Sequence, residues 1–243
     1  MKSFCVEIST QTASFRNPEF QNFHKTLDLP PPTTIIGVAG AALGLSPNMS
    51  QNFFDNSSFK VGITGFNKGR TIDTWKYNRR TSGMHMYDSL LDGSVIKREL
   101  LIDNQFILSF SSDKEEALDK LYSAFENPFF ALTMGNSDSL AKVKKISNNV
   151  SFARQSNLKY CLVAGDVIGE VLRNASKNLT FSIHQTTEPI TYDLPTRFNY
   201  SSDYGKRTVA DIATFSYISH EMQLNYDVEG ILYENFFIPV FDL

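Results

Sequence analysis

The 243-residue chain carries 23 Lys and Arg against 26 Asp and Glu, a formal net charge of −3, with 20% charged and 42% hydrophobic residues. That balance is an ordinary globular one: it excludes a disordered chain and an overall basic nucleic-acid binder, and the length suffices to bury a core. Cys5 and Cys161 stand in apolar surroundings with no C-x-x-C and no His/Cys cluster, which argues against a disulfide framework or zinc site and predicts buried, reduced thiols.

In chain order, Phe4, Val6 and Ile8 alternate with polar residues and predict a first strand. Glu7 falls where the apolar part of a secretion signal would continue, and no apolar run reaches the roughly 20 residues of a membrane helix. The expectation is a cytoplasmic protein with no membrane partner.

Residues 27 to 46 read LDLPPPTTIIGVAGAALGLS. Pro30, Pro31 and Pro32 cannot occupy a helix interior, so a helix is predicted to start near Thr33 as its N-cap. Ile35, Ile36, Val38, Ala39, Ala42 and Leu43 cover one side. Gly37, Ala41 and Gly44 form a stripe of small residues where a neighbour can approach closely. The spacing is not G-x-G-x-x-G, and no phosphate-loop lysine follows, so a nucleotide-binding loop is excluded.

Phe59, Val61 and Ile63 predict a second strand. Glu99 to Phe110 is strand-like, with a turn expected around Asp103-Asn104. Ser112 and Glu115 have the spacing of a capping box, and Leu118, Leu121, Tyr122 and Phe125 form the buried stripe of a helix that Asn127-Pro128 stops. Phe129 to Met134 completes the order strand, helix, strand, strand, helix, strand. That order is α+β and ferredoxin-like, the arrangement that includes the RNA-recognition (RRM-like) modules.

Two features exceed a minimal version of this fold. About thirty residues, Asn67 to Lys97, separate the second and third strands, and insertions of that length are functional or disordered. Beyond residue 144 lie an apolar segment, Tyr160 to Leu172, and short strand-like runs at Thr180 to His184, Thr208 to Tyr217 and Ile231 to Phe241. The expected organisation is residues 1–145 as a ferredoxin-like RNA-binding domain with an insertion at about 67–97, and 146–243 as a β-rich C-terminal extension packed on it.

Charge is unevenly placed. Lys68 to Arg80 holds five bases and one acid, Ser139 to Lys159 five bases and no acid, and Glu221 to Leu243 five acids and no base. Such polarity implies one face suited to an anion, or else a set of solvated loops. The insertion begins KGRTIDTWKYNRR, in which Arg70, Lys76, Arg79 and Arg80 accompany Trp75 and Tyr77. Cations for phosphates beside rings for bases are what single-stranded RNA needs, although an exposed hairpin kept soluble by charge has the same composition. Gly135-Asn136-Ser137-Asp138 is either an ordinary turn or a loop aiming backbone amides at an anion, with Lys142, Lys144 and Lys145 following.

Enzymatic signals are thin. His24, His85, His184 and His220 are scattered, with no H-E-x-x-H, no G-x-S-x-G and no recognisable carboxylate pair. Metal-independent RNA cleavage needs only a base for the 2′-OH and an acid or cation for the leaving group, and His24, His85, Tyr77 and Lys76 are its candidates. No cofactor and no metal are expected.

Several stretches together resemble the CRISPR-associated Cas-five family, the subunit of type I Cascade complexes that caps the 5′ end of the guide RNA, in a type I-B-like form. They are ASFRNP (13–18), LPPPTTIIGVAGAALGL (29–45), KRELLIDNQFIL (97–108), LTMGNSDSL (132–140) and DLPTRF (193–198). The resemblance implies a RAMP-superfamily ferredoxin-like domain whose long hairpin, the thumb, meets the guide, with the glycine turn near the crRNA 5′ handle. Arg16 matches the basic position after the first strand and Gly135 the family glycine, whereas Asn136 departs from the arginine common there. Implied partners are the crRNA, a backbone subunit (Cas-seven type), a large subunit (Cas-eight type) and, through the complex, target DNA. The subunit is non-catalytic in most such families and cuts precursor RNA in one.

Overall fold

The structure, a computed structural model, describes residues 1–20, 23–78, 93–167, 169–170, 173 and 190–243. Its first half comprises β1 (Lys2–Ala13), α1 (Pro32–Leu43), α2 (Pro47–Ser57), β2 (Lys60–Phe66), β3 (Gly69–Asn78), β4 (Gly93–Ser112), α3 (Glu115–Glu126) and β5 (Ala141–Ser147). β1 and β4 pair antiparallel from Lys2↔Ser112 to Ala13↔Leu101; β2 takes the free edge of β4 and β5 that of β1, also antiparallel, giving the order β5-β1-β4-β2. Strand alternation sends Phe4, Val6, Ile8, Val61, Ile63, Phe106, Leu108 and Phe110 to one face, where they are buried against the helices. Aromatic contacts tie that core together, among them Phe4 to Phe110 at 5.4 Å and Phe54 to Phe59 at 4.8 Å between centroids.

α1 starts at Pro32 with Pro31 as N-cap, two residues before the expected N-cap Thr33, because a proline at the first helical position lacks only an N–H that would be orphaned anyway. Of the small-residue stripe, Gly44 is closely approached, a Cβ there standing 2.7 Å from the Phe129 ring, whereas Gly37 is not. Gly37 is exposed with open space around it, and the close approach to α2 is at Gly40, where a Cβ would stand 1.9 Å from Ser50 Oγ. α2 itself has no counterpart in the sequence reading: its apolar stripe is short, and its start is marked by the Ser46 side chain accepting from Met49 N and by Pro47.

Two further boundaries differ from expectation. α3 begins after Lys114, not through a Ser112–Glu115 capping box; Ser112 Oγ instead accepts from Lys114 N and donates to Ser57 O. Phe129 to Met134 is not a strand. The amides of Phe129 and Phe130 donate to Ala42 O and Ala41 O, satisfying carbonyls at the end of α1, so this stretch is a helix cap and the fourth strand is the lysine-rich β5.

The second half adds β6 (Ser151–Leu158), β7 (Cys161–Ala164), β8 (Ile190–Tyr200), β9 (Arg207–Ile218), β10 (Met222–Tyr233) and β11 (Phe236–Asp242). The Ile231 to Phe241 run is thus two strands reversed at Glu234, whose φ is +52°. β11 pairs with β2 through Val240 to Asp242 and with β10 through Phe236 to Pro239, so the antiparallel sheet curls over its own second face. There Ile231, Tyr233 and Ile238 bury Cys5 and Ile107. On the helical side Tyr192, Leu194, Phe215 and Tyr217 of the β8–β9 ribbon join the main core. Arg197 pins the ribbon to Asp55 of α2 at 2.8 Å. Of the other expected segments, Thr208 to Tyr217 lies within β9 and Thr180 to His184 outside the described residues. Among the described residues no helix is long and apolar enough to cross a membrane, and no group of three or more His, Cys, Asp or Glu could hold a metal.

Gly40→Ala should lower unfolding stability by about 1–3 kcal/mol, because buried Ser50 cannot yield without losing its bond to Ser46 O. Gly37→Ala should instead leave it unchanged or raise it by up to about 1 kcal/mol through helix propensity. Urea titrations of the two variants compare them directly.

Candidate nucleic-acid interface

The basic insertion is the stem of a long antiparallel hairpin, paired from Gly69↔Ile102 to Asn78↔Gly93. Residues 79–92, with Arg79, Arg80 and His85, lie outside the described residues. β4 runs on from the hairpin into the centre of the sheet. The expected turn at Asp103-Asn104 is only a kink within it: Asp103 takes φ +49°, and buried Asn104 donates its Nδ2 to Thr10 O and Leu101 O. The hairpin is therefore a direct extension of the central strand.

Arg98 occupies the junction. Its side chain is 8% exposed; Nε and Nη2 donate to Asp73 Oδ2 at 3.0 and 2.8 Å, and Nη1 and Nη2 to Asp138 Oδ1 and Oδ2 at 3.3 and 2.5 Å. Its Cζ also stands 5.1 Å from the centroid of the half-exposed Trp75 ring. One guanidinium thus joins both strands of the hairpin to the segment after Gly135. The hydrogen bonds from Arg98 hold the Asp138 carboxyl below the usual carboxylate range.

The glycine turn is built against the end of β1. Met134 N donates to Ser139 O at 2.9 Å and Ser139 N to Asn136 O at 3.0 Å. Gly135 has φ +90°, and a Cβ on it would stand 1.9 Å from Ser14 O, so both conformation and space require glycine. Gly135 and Ser137 are exposed and Asn136 half-buried.

The other sequence-selected residues separate into two groups. Near the junction, Arg16 is exposed and bridges Thr26, and His24 lies beside β4, donating its amide to Lys97 O and accepting from Glu99 N. Burial first, then the charges of Arg16 and Arg98, push the His24 imidazole below its ordinary value, so it is neutral at pH 7. Lys76 is exposed on β3, and Tyr77 lies in the same strand. Arg70 is differently engaged: it bonds Asp28 and, at 3.0 Å, Glu99, whose backbone carbonyl accepts from Ser14 Oγ. Lys142, Lys144 and Lys145 run away from the turn along the outer strand β5, and Lys145 is bound to Glu234 at 2.6 Å. Cys5 and Cys161 are buried and unbridged, and burial pushes both thiols up to about 12, so neither is a nucleophile at neutral pH.

Arg98, Asp73 and Asp138 were not selected from the sequence. The available signal was Arg98 in a strand whose alternation turns it to the same face as Asp73 and Trp75, but the residues that meet it come from two segments well separated in the chain, β3 and the turn at Asp138.

A family model described as "CRISPR-associated protein (Cas_Cas5)" matches residues 4–210. Solved structures of similar fold include a "CRISPR RNA-guided surveillance complex" chain (13% identity, TM-score 0.54, 91% of each chain covered). Another is a chain of a Type III-B Cmr-beta complex bound to cognate target RNA and AMPPnP (10% identity, TM-score 0.53, 93% of this chain and 86% of that one). A third is a CRISPR protein from Archaeoglobus fulgidus (10% identity, TM-score 0.50, all of each chain). Among curated proteins none matches the sequence.

Asp138→Asn should reduce stability by about 1 kcal/mol at pH 7, the size of a charge-assisted bond at a half-exposed site. Because the folded carboxyl titrates below its unfolded value, its contribution is complete above the ordinary carboxylate range and is lost as pH falls through the lowered value. Denaturant titrations at pH 7 and about pH 3 should therefore show the gap between variant and wild type closing in acid.

Proposed function

Because this chain belongs to the CRISPR-associated Cas_Cas5 family, we propose that it is a non-catalytic guide-RNA subunit of a type I Cascade surveillance complex that holds the 5′ handle of the crRNA. We read the β5-β1-β4-β2 sheet, with its helices on one face, as a ferredoxin-like frame and the β3–β4 hairpin as its thumb. The observation that carries the reading is the Arg98 junction, which fixes a half-exposed indole beside a turn of exposed backbone. A base stacks on Trp75, phosphates meet Lys76 and Arg16, and the amides of Gly135 to Ser137 supply donors to the handle. Arg79 and Arg80 continue the same hairpin in sequence. Arg70, held by two carboxylates, braces the hairpin rather than contacting RNA. The backbone subunit (Cas-seven type) and the large subunit (Cas-eight type) flank it, and target DNA is reached through the complex.

Trp75→Ala should weaken binding of a handle-containing RNA by roughly tenfold or more, the range of one lost base stack. Neutralising Lys76, Arg79 and Arg80 together should flatten the dependence of affinity on salt by about 0.7 per lost phosphate contact. An unaltered slope in filter binding at several salt concentrations would remove the hairpin from the interface.

His24 favours a second reading. A neutral imidazole beside two guanidinium groups has the parts of a metal-independent ribonuclease, a base with cations for the developing charge. Incubating the protein with labelled repeat RNA in EDTA separates the two: the binding reading expects intact RNA, and the enzymatic one expects cleavage at one position that is lost in His24→Ala.

A further inference from the structure

We propose that the open edge of β5, with the groove between it and the end of α3, is a docking strip for an extended acidic segment of a partner protein, which joins the sheet as an additional strand. Among the described residues β5 pairs only with β1. Ala141 N points away from β1 but is already taken by Leu132 O, beside the Thr133↔Leu140 bridge, so the open edge begins at Val143, whose amide and carbonyl strand alternation puts on that same outer side. Beside this edge lies a groove of about 620 Å³ whose apolar lining includes Tyr122, Phe125, Phe130, Leu132 and Val143.

Three observations identify the occupant. A strand edge presents alternating donors and acceptors that another polypeptide strand matches and a nucleic-acid backbone does not, which selects protein over RNA. The lining residue Phe130 is 48% exposed, and its chain neighbour Phe129 and the Leu140 that precedes β5 are 72 and 64% exposed, an exposed apolar patch of the kind that marks an interaction surface. The two rings are set in advance, 4.7 Å apart edge to face, because their amides are fastened to the end of α1. Charge selects the sign: Lys142 and Lys144 are exposed and form no ion pair among the described residues, Lys145 is met by Glu234, and Glu126 is the one carboxylate lining the groove. The same lysines disfavour a second copy of this chain, since edge pairing of β5 with itself brings like charges together.

The test uses the full chain and fluorescence anisotropy with three labelled probes: the peptide Glu-Val-Glu-Val-Glu-Val-Glu, its counterpart with lysine for every glutamate, and oligouridylate. The acidic peptide should bind and the basic one should not. Lys142→Glu with Lys144→Glu, exposed positions where the fold is insensitive, should weaken the acidic peptide roughly tenfold or more and admit the basic one. Val143→Pro, which removes an amide proton from an edge where proline is tolerated, should also weaken it, with an unchanged circular dichroism spectrum. Equal binding of the two peptides, indifference to both variants, or displacement of the acidic peptide by oligouridylate would overturn the proposal, the last by making the strip a nucleic-acid surface.

Discussion

A nearly buried guanidinium held between two carboxylates ties the base of the long hairpin to the glycine turn. Arg98 loses most of its water, a penalty of several kcal/mol for an unpaired ion, and recovers it only while Asp73 and Asp138 stay in place. Asp73 belongs to the outgoing strand of the hairpin, Arg98 to the returning one, and Asp138 to the turn that enters β5. The penalty for separating them makes hairpin base and glycine turn one unit. Trp75, stacked over the same group, is held at the surface rather than folded under it.

The curl of the sheet determines where such a unit can act. An open four-stranded sheet offers its free face to single-stranded RNA. Here the β10–β11 hairpin lies across that face and buries Cys5 and Ile107 beneath Ile231, Tyr233 and Ile238. The helical face is likewise closed by the β8–β9 ribbon, which leaves α1 apolar on nearly every side because it is enclosed on nearly every side. With both faces covered, the hairpin, the turns and the outer strand are what the sheet leaves exposed.

The charge clusters acquire different meanings in three dimensions. Within the acidic C-terminal run Glu229 pairs with Lys60 and Glu234 with Lys145, and Tyr233 donates to Glu7 across the covered face. These contacts fasten the returning hairpin to the central sheet. Of the basic residues near the turn, Arg70 is likewise consumed internally, while Lys142 and Lys144 line an edge.

By itself the sequence determined what depends on local periodicity and steric exclusion. Alternation in β1 and β2, the stripe of α3 with its stop at Asn127-Pro128, a proline-limited α1 and a turn at Gly135-Asn136 all follow from neighbours in the chain. The family resemblance, resting on motifs in order along the chain, was legible for the same reason. Only the tertiary structure decided which apolar run became a strand, since Phe129 and Phe130 cap α1 through bonds to residues more than eighty positions away, and the lysine-rich β5 pairs instead. It alone joined Arg98, Asp73, Asp138 and Trp75, and it alone placed Gly40, not Gly37, against α2. Charge pairing and close packing are set by which segments meet in space, and alternation along one strand holds no record of its distant partners.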